Sequence, residues 1–529
     1  MTLTDLRMGA LSYALRSKPG WWNKYKDPMI RATWEKEALK MEIQGARLSE
    51  AEVQYFLDEL QGHEKMRDET TGIQQSCFQC IYEADDLVSE DLRNRLIEAV
   101  KVLEDVPDDK KDWHPGGNKQ VLNLVHPSMY CIIYDRTLAF PLDSDPVKRT
   151  SADLKKLHAP FVAAALKTGP KPDYPGWSYS PKFCWIPTDF EIAPGGQPAK
   201  ALSYINNIDP DHTELYSVIE GVVGRFSLLW DRVLTDIRPE SGAMRYRITE
   251  EAEWNSDLAG PEPYYGRFNS PEHAAWTEWC NRRELVIPSV PRQGYTEDIS
   301  HRNNHYTIQG KKVQVIVKLV NIILTPENPS YPGGSWHIEG LANESIVASG
   351  IYYYDSENIT GSYLAFRMAV SGIDETDEEI TEKVFGLGRE SASNQVVGTV
   401  KTASKRCIAF PNLFQHRVSP FALADPTKPG YSKIMALLLV DPERRIASTS
   451  NVPPQQMHWA QAAMATSEPF SAFSLLPTEL HQMVAESTDS LMSETEAKDY
   501  RLKLMDERAT WVRVQNGKWF CAPFVSRYG

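Results

Sequence analysis

The sequence predicts an α+β protein in which a jelly roll of antiparallel strands is surrounded by helices. About seven or eight short β-prone runs, separated by turn residues, recur between residues 311 and 456, a spacing typical of a sandwich or jelly roll. Periodic apolar stripes that indicate amphipathic helices lie before and after this region. The chain has 529 residues, 42% of them hydrophobic, which is enough for several structural units around a large core.

We expect four regions along the chain. They are a mainly helical N-terminal region (1–150), a region of helix and aromatic-rich loops packed on the core (151–310), the jelly-roll core (311–456) and a helical C-terminal extension (457–529). In the first region Leu92, Leu96 and Val100 share one helix face, and Ser89 stands at the N-cap position. In the second, a stripe within residues 215–233 predicts a helix that packs on a sheet.

The core region opens with Val313–Leu324, a β-branched run typical of a buried strand. Further strands are expected at Ser345–Ala348, Gly350–Asp355, Ser362–Met368, Val396–Lys401, Cys407–Phe410, Val418–Leu423 and Ile434–Val440. Helices expected at Leu476–Met492 and Glu494–Trp511 would then cover the barrel.

Composition excludes several classes of function. The net charge of −14 disfavours a general binder of nucleic acid or of anionic membranes, because both need a positive surface. Seven scattered cysteines indicate no disulfide framework and so favour a reducing compartment. We read no secretory signal and no run of about 18 apolar residues. The sequence therefore predicts a cytoplasmic protein with a small-molecule substrate and no nucleic-acid or membrane partner.

Two short motifs carry little functional weight. Cys77 and Cys80 form a single C-x-x-C without the second pair that a zinc site needs, so core positions explain them better. His301 and His305 have the i, i+4 spacing of helical metal ligands, but no third ligand stands near them in the sequence. A polar loop is the simpler interpretation.

The strongest chemical signal is the H-x-E triplet of His337 and Glu339. Residues i and i+2 of a strand point to the same side, so these two side chains can face one spot. His416 follows at the separation that a double-stranded β-helix requires. Two imidazoles and a carboxylate on one face of a metal, with the other positions open, form the facial triad of non-haem Fe(II) oxygenases.

A dense set of motifs resembles a large fungal family of formerly unassigned function. The motifs are Trp185–Phe190, Gln314–Asn321, Leu324–Gly334, Trp336–Gly340, Gly350–Asp355, Phe410–Val418, Asp425–Gly430 and Leu439–Pro442. The resemblance extends from about residue 60 to 460. That family is similar in its core to Fe(II)/2-oxoglutarate dioxygenases, and a relative in tryptoquialanine-type alkaloid pathways closes an aziridine on an aliphatic amino acid.

The resemblance implies a double-stranded β-helix (jelly-roll or cupin-like) core in which His337, Glu339 and His416 bind Fe(II), while 2-oxoglutarate and O2 occupy the open positions. Most of the class has Asp where Glu339 stands, and some members tolerate Glu. A carboxylate at this position disfavours halogenation, because chloride would have to occupy the coordination position that Glu339 takes. The implied reaction oxidises a C–H bond of a small molecule in secondary metabolism by hydroxylation, desaturation or aziridine closure.

A cation should hold the distal carboxylate of 2-oxoglutarate, usually on the strand after the second histidine. Lys433 is the first candidate and Arg417 the second. The register of this strand leaves an alternative open. If Ser432 is the inward residue, alternation sends Lys433 outward.

Substrate-binding candidates come from the strand and loop next to the triplet. Ile351 and Tyr353 share one strand face, although core packing alone could explain them. Asn343 and Glu344 follow the triplet closely and could hydrogen-bond a ligand. Arg367 could hold a substrate carboxylate or pair with a nearby acidic residue.

Three other interpretations stay open. A JmjC-like protein hydroxylase or demethylase also favours H-x-E, but that group usually has a Lys between its two ligand segments, and none lies between Glu339 and Lys383. The same triad could serve a metal enzyme that does not use 2-oxoglutarate. A non-catalytic β-barrel scaffold would contain the triad by accident.

Overall fold

The computed structural model describes residues 1–141, 178–243, 245–370, 378–388, 390–465 and 476–522. The first part of the aromatic-rich region, residues 151–177, lies outside them. The α-helices are α1 Leu3–Arg16, α2 Trp21–Lys24, α3 Pro28–Ala38, α4 Glu50–Met66, α5 Glu90–Glu104, α6 Thr213–Asp236, α7 Pro271–Arg282, α8 Glu378–Phe385, α9 Met457–Ala465, α10 Thr478–Glu486 and α11 Glu494–Gln515. Within the described part of the chain, no helix combines the length and apolar character that crossing a bilayer requires.

The strands concentrate between residues 312 and 440. They are β1 Gln74–Gln75, β2 Tyr82–Ala84, β3 Asp112–Trp113, β4 Val121–Val125, β5 Ile132–Ile133, β6 Phe183–Cys184, β7 Thr188–Glu191, β8 Lys200–Ala201, β9 Glu253–Asn255, β10 Glu284–Val286, β11 Lys312–Leu324, β12 Ser330–Tyr331, β13 Ile346–Glu357, β14 Tyr363–Ala369, β15 Asn394–Lys401, β16 Cys407–Pro411, β17 Gln415–Val418, β18 Phe421–Ala422 and β19 Gly430–Val440.

The large sheet is antiparallel and has the strand order β1-β2-β16-β13-β19-β11-β4-β3, with β7 also paired to β11 and β8 paired to β7. Its centre is made by the long strands β13, β19 and β11, each hydrogen-bonded on both sides. The β-branched residues of β11 suit this position, because such side chains pack well on a pleated surface that is covered on both faces.

The small sheet is also antiparallel and has the order β15-β14-β17. An isolated antiparallel bridge between His337 and His416 adds the H-x-E segment to its free edge, beside β17. The segment that carries the triplet is thus held by backbone pairing to the strand that carries the second histidine.

The two sheets share a hydrophobic core. Ile322, Ile351 and Tyr353 of the large sheet and Leu364 and Phe366 of the small sheet belong to one buried cluster. We call the side of the large sheet that faces the small sheet its inner face. Since side chains alternate along a strand, the remaining residues of these strands point to the opposite, outer face.

Helices cover the outer face. Phe226 and Trp230 of α6 and Leu96 and Val100 of α5 belong to the buried cluster that also contains Tyr352 from the outer face of β13. The predicted apolar stripes of both helices therefore lie in this core, and the Ser89 side chain accepts a hydrogen bond from the Leu92 amide as the expected N-cap of α5.

Strands from the N-terminal region extend the large sheet at both ends. β2 pairs with β16, and β4 pairs with β11. A mixed architecture of helices and antiparallel sheets is confirmed, but the strands of the sheet are not restricted to the predicted core region. The division into four regions stays a prediction.

Candidate metal centre

His337, Glu339 and His416 lie together at the edge of the small sheet. The Glu339 Oε1 atom is 3.7 Å from His337 Nε2 and 3.6 Å from His416 Nε2. The three candidate ligand atoms all lie within 4.8 Å of one another, and within the described residues no other group of three or more His, Cys, Asp or Glu side chains meets this criterion. Residues distant in the sequence thus form one potential metal site.

Backbone pairing places the two imidazoles side by side. The His416 amide donates to the His337 carbonyl at 2.9 Å, and the His337 amide donates to the His416 carbonyl at 3.3 Å. On β17, His416 lies directly opposite Phe366, and the Phe410 ring packs edge-on against its imidazole with 4.8 Å between ring centroids. His416 is therefore buried and held on the inner side of its sheet.

Asn412 and Gly340 hold Glu339 in position. The Asn412 side chain accepts a hydrogen bond from the Glu339 amide at 2.9 Å and donates to the Glu339 carbonyl at 2.8 Å. Gly340 has a φ of +70°, and a Cβ there would come within 2.7 Å of the Ile346 side chain. Glycine at this turn thus lets the chain leave the triplet without moving Glu339.

A hydrogen bond selects the tautomer of His337. Its Nδ1 atom lies 2.8 Å from the Ser335 carbonyl oxygen, which can only accept, so Nδ1 carries the proton. In the neutral imidazole the lone pair therefore lies on Nε2, the atom that faces Glu339 and would bind a metal. Backbone support of this kind is common for histidines that bind metals.

The three groups shift one another's pKa values. Burial alone would raise the pKa of Glu339, but its interactions with the two imidazoles outweigh burial and hold that pKa well below its usual range. Burial would likewise lower the pKa of His337, but the Glu339 carboxylate raises it. Burial and the charge of His337 lower the pKa of His416. Glu339 is thus a carboxylate and His416 favours the neutral, metal-binding form.

Binding a divalent cation would draw the three ligand atoms closer together. For bonds of about 2.1 Å, neighbouring ligand atoms would be about 3.0 Å apart in an octahedral site and about 3.4 Å apart in a tetrahedral one. The observed distances from Glu339 to the two imidazoles, 3.6 and 3.7 Å, are slightly wider, and all three atoms lie within 4.8 Å of one another. The His337 side chain is 35% exposed, against 10% for Glu339 and 4% for His416. A ligand can therefore reach the site from the His337 side.

The position of Lys433 corrects the first prediction for a carboxylate-binding cation. On β19, Ile434 belongs to the inner cluster and Met435 to the outer one, so alternation places Lys433 on the outer face. Its Nζ atom is 2.9 Å from the Glu104 carboxylate of α5. Lys433 thus pairs with a helix on the far side of the large sheet, and Ser432 is the inward residue.

Arg417 and Arg367 also face away from the triad. Arg417 follows the inward His416 on β17 and stacks on the Trp336 ring at 4.6 Å. Arg367 stacks on Trp336 at 4.7 Å and donates to the Gln415 side chain at 2.8 Å. Both arginines therefore lie on the outer side of the small sheet, where neither can hold a ligand bound at the triad.

Asn343 and Glu344 are occupied by protein partners. Asn343 Oδ1 accepts from the Ser180 amide at 2.7 Å, and its Nδ2 donates to the Ser180 carbonyl at 2.9 Å. Glu344 is fully buried and accepts from the Trp185 amide at 2.9 Å and from Arg508 at 2.7 Å. These residues join the loop after the triplet to α11 and to the chain before β7, which gives them a structural role in place of the predicted ligand contact.

Ile351 and Tyr353 lie on the inner face of β13, in the cluster shared by both sheets. Both are buried, with 8% and 1% of their surface exposed. The Tyr353 hydroxyl has no hydrogen-bond partner among the described residues. Their placement is compatible with lining a substrate cavity and with simple core packing.

The sequence analysis missed Lys318. This residue lies on β11, opposite Ala436 of β19, and alternation puts it on the inner face with Ile316 and Ile322. Its positive charge acts on both His337 and Glu339. A lysine in the interior of a long β-branched strand was a signal in the sequence, because a charged residue there needs a specific neighbour.

Comparisons with known proteins identify a family. A family model described as "Protein of unknown function (DUF4246)" matches residues 50–463, and one described as "Domain of unknown function DUF4246, N-terminal" matches residues 1–37. No curated protein matches the sequence.

Similarity to solved structures is low. A structure described as the selenomethionine-labelled Fe(II)/(alpha)ketoglutarate-dependent dioxygenase TqaL is 10% identical, with a TM-score of 0.23 over 67% of this chain and 90% of that chain. A bsmA homologue from Methylobium petroleophilum PM1 is 12% identical, with a TM-score of 0.16 over 25% of this chain and 43% of that chain. This chain thus spans less than half the length of the bsmA homologue, and TM-scores of this size support no argument about fold or function.

Proposed function

We propose that this chain, which belongs to the DUF4246 family of proteins of unknown function, is a non-haem Fe(II)- and 2-oxoglutarate-dependent oxygenase of a small molecule. The observation that carries the proposal is the triad of His337, Glu339 and His416, whose ligand atoms lie within 4.8 Å of one another. Two imidazoles and a carboxylate on one side of a metal are the ligand set of this enzyme class.

The order of strands supports a double-stranded β-helix as the core. From β11 onward, the chain places β11, β13, β16 and β19 in the large sheet and β14, β15 and β17 in the small one. The H-x-E segment, which lies between β11 and β13 in the chain, pairs with β17. Successive strands thus alternate between the sheets, apart from the β14–β15 hairpin, as in a jelly roll with its ligand site between the sheets.

Different residues around the triad would bind the metal, orient its ligands and exclude water. When bound, Fe(II) supplies the redox chemistry for C–H oxidation and open positions for 2-oxoglutarate and O2. His337, Glu339 and His416 would hold it, and the Ser335 carbonyl and Asn412 orient two of these ligands. The apolar rings of Phe366 and Phe410 exclude water behind His416.

The substrate proposed is a small molecule, with aliphatic amino acids of fungal secondary metabolism as the first to test. The product could result from hydroxylation, desaturation or aziridine closure. Ile351 and Tyr353 are the proposed substrate contacts, because they occupy the inner face of β13.

Metal retention tests the proposal directly. We expect the purified protein, loaded anaerobically with Fe(II) and desalted, to keep about one ion per chain and to form succinate from 2-oxoglutarate in air. His416→Ala should lose both properties. Arg417→Ala is the matched control, because its side chain points to the other side of the same strand, and it should keep both.

Two results would contradict the proposal, and a third would remove the support that the His416→Ala variant gives it. A wild-type protein that retains no metal would favour a non-catalytic scaffold. Metal retention without succinate formation would favour a metal enzyme that does not use 2-oxoglutarate. Metal loss in Arg417→Ala as well as in His416→Ala would show that general unfolding, and not ligand loss, explains both variants.

A further inference from the structure

Lys318 lies where the large sheet faces the triad. On β11 its neighbours at i−2 and i+4, Ile316 and Ile322, belong to buried clusters on the inner face, whereas Val317 and Leu319 belong to the outer cluster. In the register of β11 with β19, Lys318 is directly opposite Ala436. The side chain directly across the strand pair from the lysine is thus a small, uncharged alanine.

Lys318 is a half-buried cation on the inner face of the large sheet. Within the described residues its ammonium makes no hydrogen bond and no ion pair, in contrast to Lys433, which pairs with Glu104 on the outer face. Placing a charge in such a position is unfavourable unless an opposite charge joins it. A ligand that brings an anion to the inner face would supply that charge.

Two other cations of this region, Arg501 and Arg508, are already paired. Arg501 forms an ion pair with Asp112, and Arg508 pairs with Glu344 at 2.7 Å. Lys318, however, lies on the inner face of the large sheet, and this face looks toward the side of the small sheet that carries His416 opposite Phe366. A ligand with two anionic groups could therefore bind the metal with one group and the Lys318 ammonium with the other.

We infer that Lys318 binds the distal carboxylate of 2-oxoglutarate while the 2-oxo acid end lies at the triad. This inference rests on the proposed function. The inner residues of β19, where the sequence analysis expected the cation, are Ser432, Ile434 and Ala436, and none of them carries a charge. Lys318 supplies the missing charge from the neighbouring strand, and a lysine ammonium serves a carboxylate as a point charge.

Direct binding measurements test this assignment. The protein is loaded with Mn(II), which prevents turnover, and 2-oxoglutarate is titrated by calorimetry. We expect Lys318→Met to weaken binding by about 10- to 100-fold, since one charge-assisted hydrogen bond is lost. Lys433→Met is the matched control on the outer face and should bind as tightly as the wild type. Both variants should retain Mn(II).

The chemistry of the ligand provides a second readout. 2-Oxovalerate has the same chain length as 2-oxoglutarate but lacks the distal carboxylate. The wild type should prefer 2-oxoglutarate strongly, and Lys318→Met should lose most of this preference. Lys318→Arg keeps the charge and should keep the preference, which separates loss of the charge from a general disturbance of the core.

The outcomes distinguish this inference from the proposed function. If the wild type binds Mn(II) and 2-oxoglutarate but Lys318→Met binds 2-oxoglutarate equally well, the inference is wrong and the proposed function stands. If the wild type binds no metal or no 2-oxoglutarate, the proposed function fails and the inference fails with it. If Lys433→Met weakens binding as much as Lys318→Met, the inference is wrong, because the lysine on the outer face of the large sheet would then matter as much as the one on the inner face.

Discussion

Three successive tyrosines of β13 have buried hydroxyl groups in two different environments. Tyr352 and Tyr354 lie in the outer cluster under the helices, whereas Tyr353 lies between the two sheets. None of the three hydroxyls has a hydrogen-bond partner among the described residues. A buried hydroxyl without a partner lowers the free energy of unfolding. A ligand on the inner face that hydrogen-bonds the Tyr353 hydroxyl would offset this cost.

Replacing single hydroxyls tests this reasoning. We expect Tyr353→Phe to leave the free energy of unfolding unchanged or to raise it by up to about 1 kcal/mol, because no hydrogen bond is lost. Tyr82→Phe is the control: it removes a 2.6 Å donation to Asp236 and should lower the free energy of unfolding by about 1–3 kcal/mol. Chemical denaturation measures both. A clear loss of stability in Tyr353→Phe would mean that its hydroxyl has a partner in the folded protein.

At the scale of elements, the contact between α6 and β13 sets the distance of the helical layer from the large sheet. Gly350 stands on the outer face of β13, and a Cβ at this position would lie 2.4 Å from the Phe226 ring of α6. The ring is fully buried, so it has no free space to move into. Glycine is needed here because the helix approaches the strand closely.

A substitution at this contact should weaken the whole layer. Gly350→Ala should lower the free energy of unfolding by about 1–3 kcal/mol through overpacking. Adding Phe226→Leu should recover part of this loss, because the smaller side chain makes space for the new methyl group. A double-mutant cycle measured by denaturation gives the coupling. Additive effects of the two substitutions would contradict the predicted contact.

At the scale of the whole molecule, a buried charge network joins the N-terminal helices to the chain after α6. Arg247 donates to Glu59 of α4 at 2.7 Å and lies 3.7 Å from Asp5 of α1. His63 of α4 is 3.6 Å from Glu59, and all three α1 and α4 side chains are at most 5% exposed. Segments far apart in the sequence are thus tied by charges that are shielded from solvent.

Burial and neighbouring charges shift the pKa values within this network. Burial, reinforced by the charge of Arg16, lowers the pKa of His63 to about 4. Burial would raise the pKa of Glu59, but Arg247 lowers it to about 2. Burial raises the pKa of Asp5, so protonation of Asp5 in acid favours the folded state, in contrast to protonation of His63 and Glu59. Two groups thus have folded pKa values below their unfolded ones, and each favours folding only where it has lost its proton.

Stability should therefore fall in acid in two steps. The contribution of neutral His63 is complete above about pH 6.5 and is lost as the pH falls to about 4, on the order of 3 kcal/mol. The contribution of Glu59 is lost below about pH 4.5, toward pH 2. Chemical denaturation at several pH values between 7 and 4 measures this. The free energy of unfolding should fall less with decreasing pH in His63→Gln than in the wild type. Substitution of the exposed His305 by Gln is the control, and an equal slope in all three proteins would contradict the role of His63.

The sequence by itself determined those features that depend only on residues close together in the chain, namely which side chains share one face of a strand or helix. The period-2 geometry of a strand puts His337 and Glu339 on one face, and the 3.6-residue period of a helix predicts the buried stripe of α6. Both patterns follow from backbone geometry within a few residues, so no distant contact was needed to predict them.

Only the tertiary structure decided which side chain meets which partner. Lys433 pairs with Glu104 although 329 residues separate them, and Glu344 meets Arg508 across 164. Alternation narrowed the choice to two faces of β19, but the face that looks inward depends on which element packs on it. Lys318 was missed for the same reason: its position opposite the triad arises from the pairing of strands into sheets and the packing of the two sheets, which the local sequence does not encode.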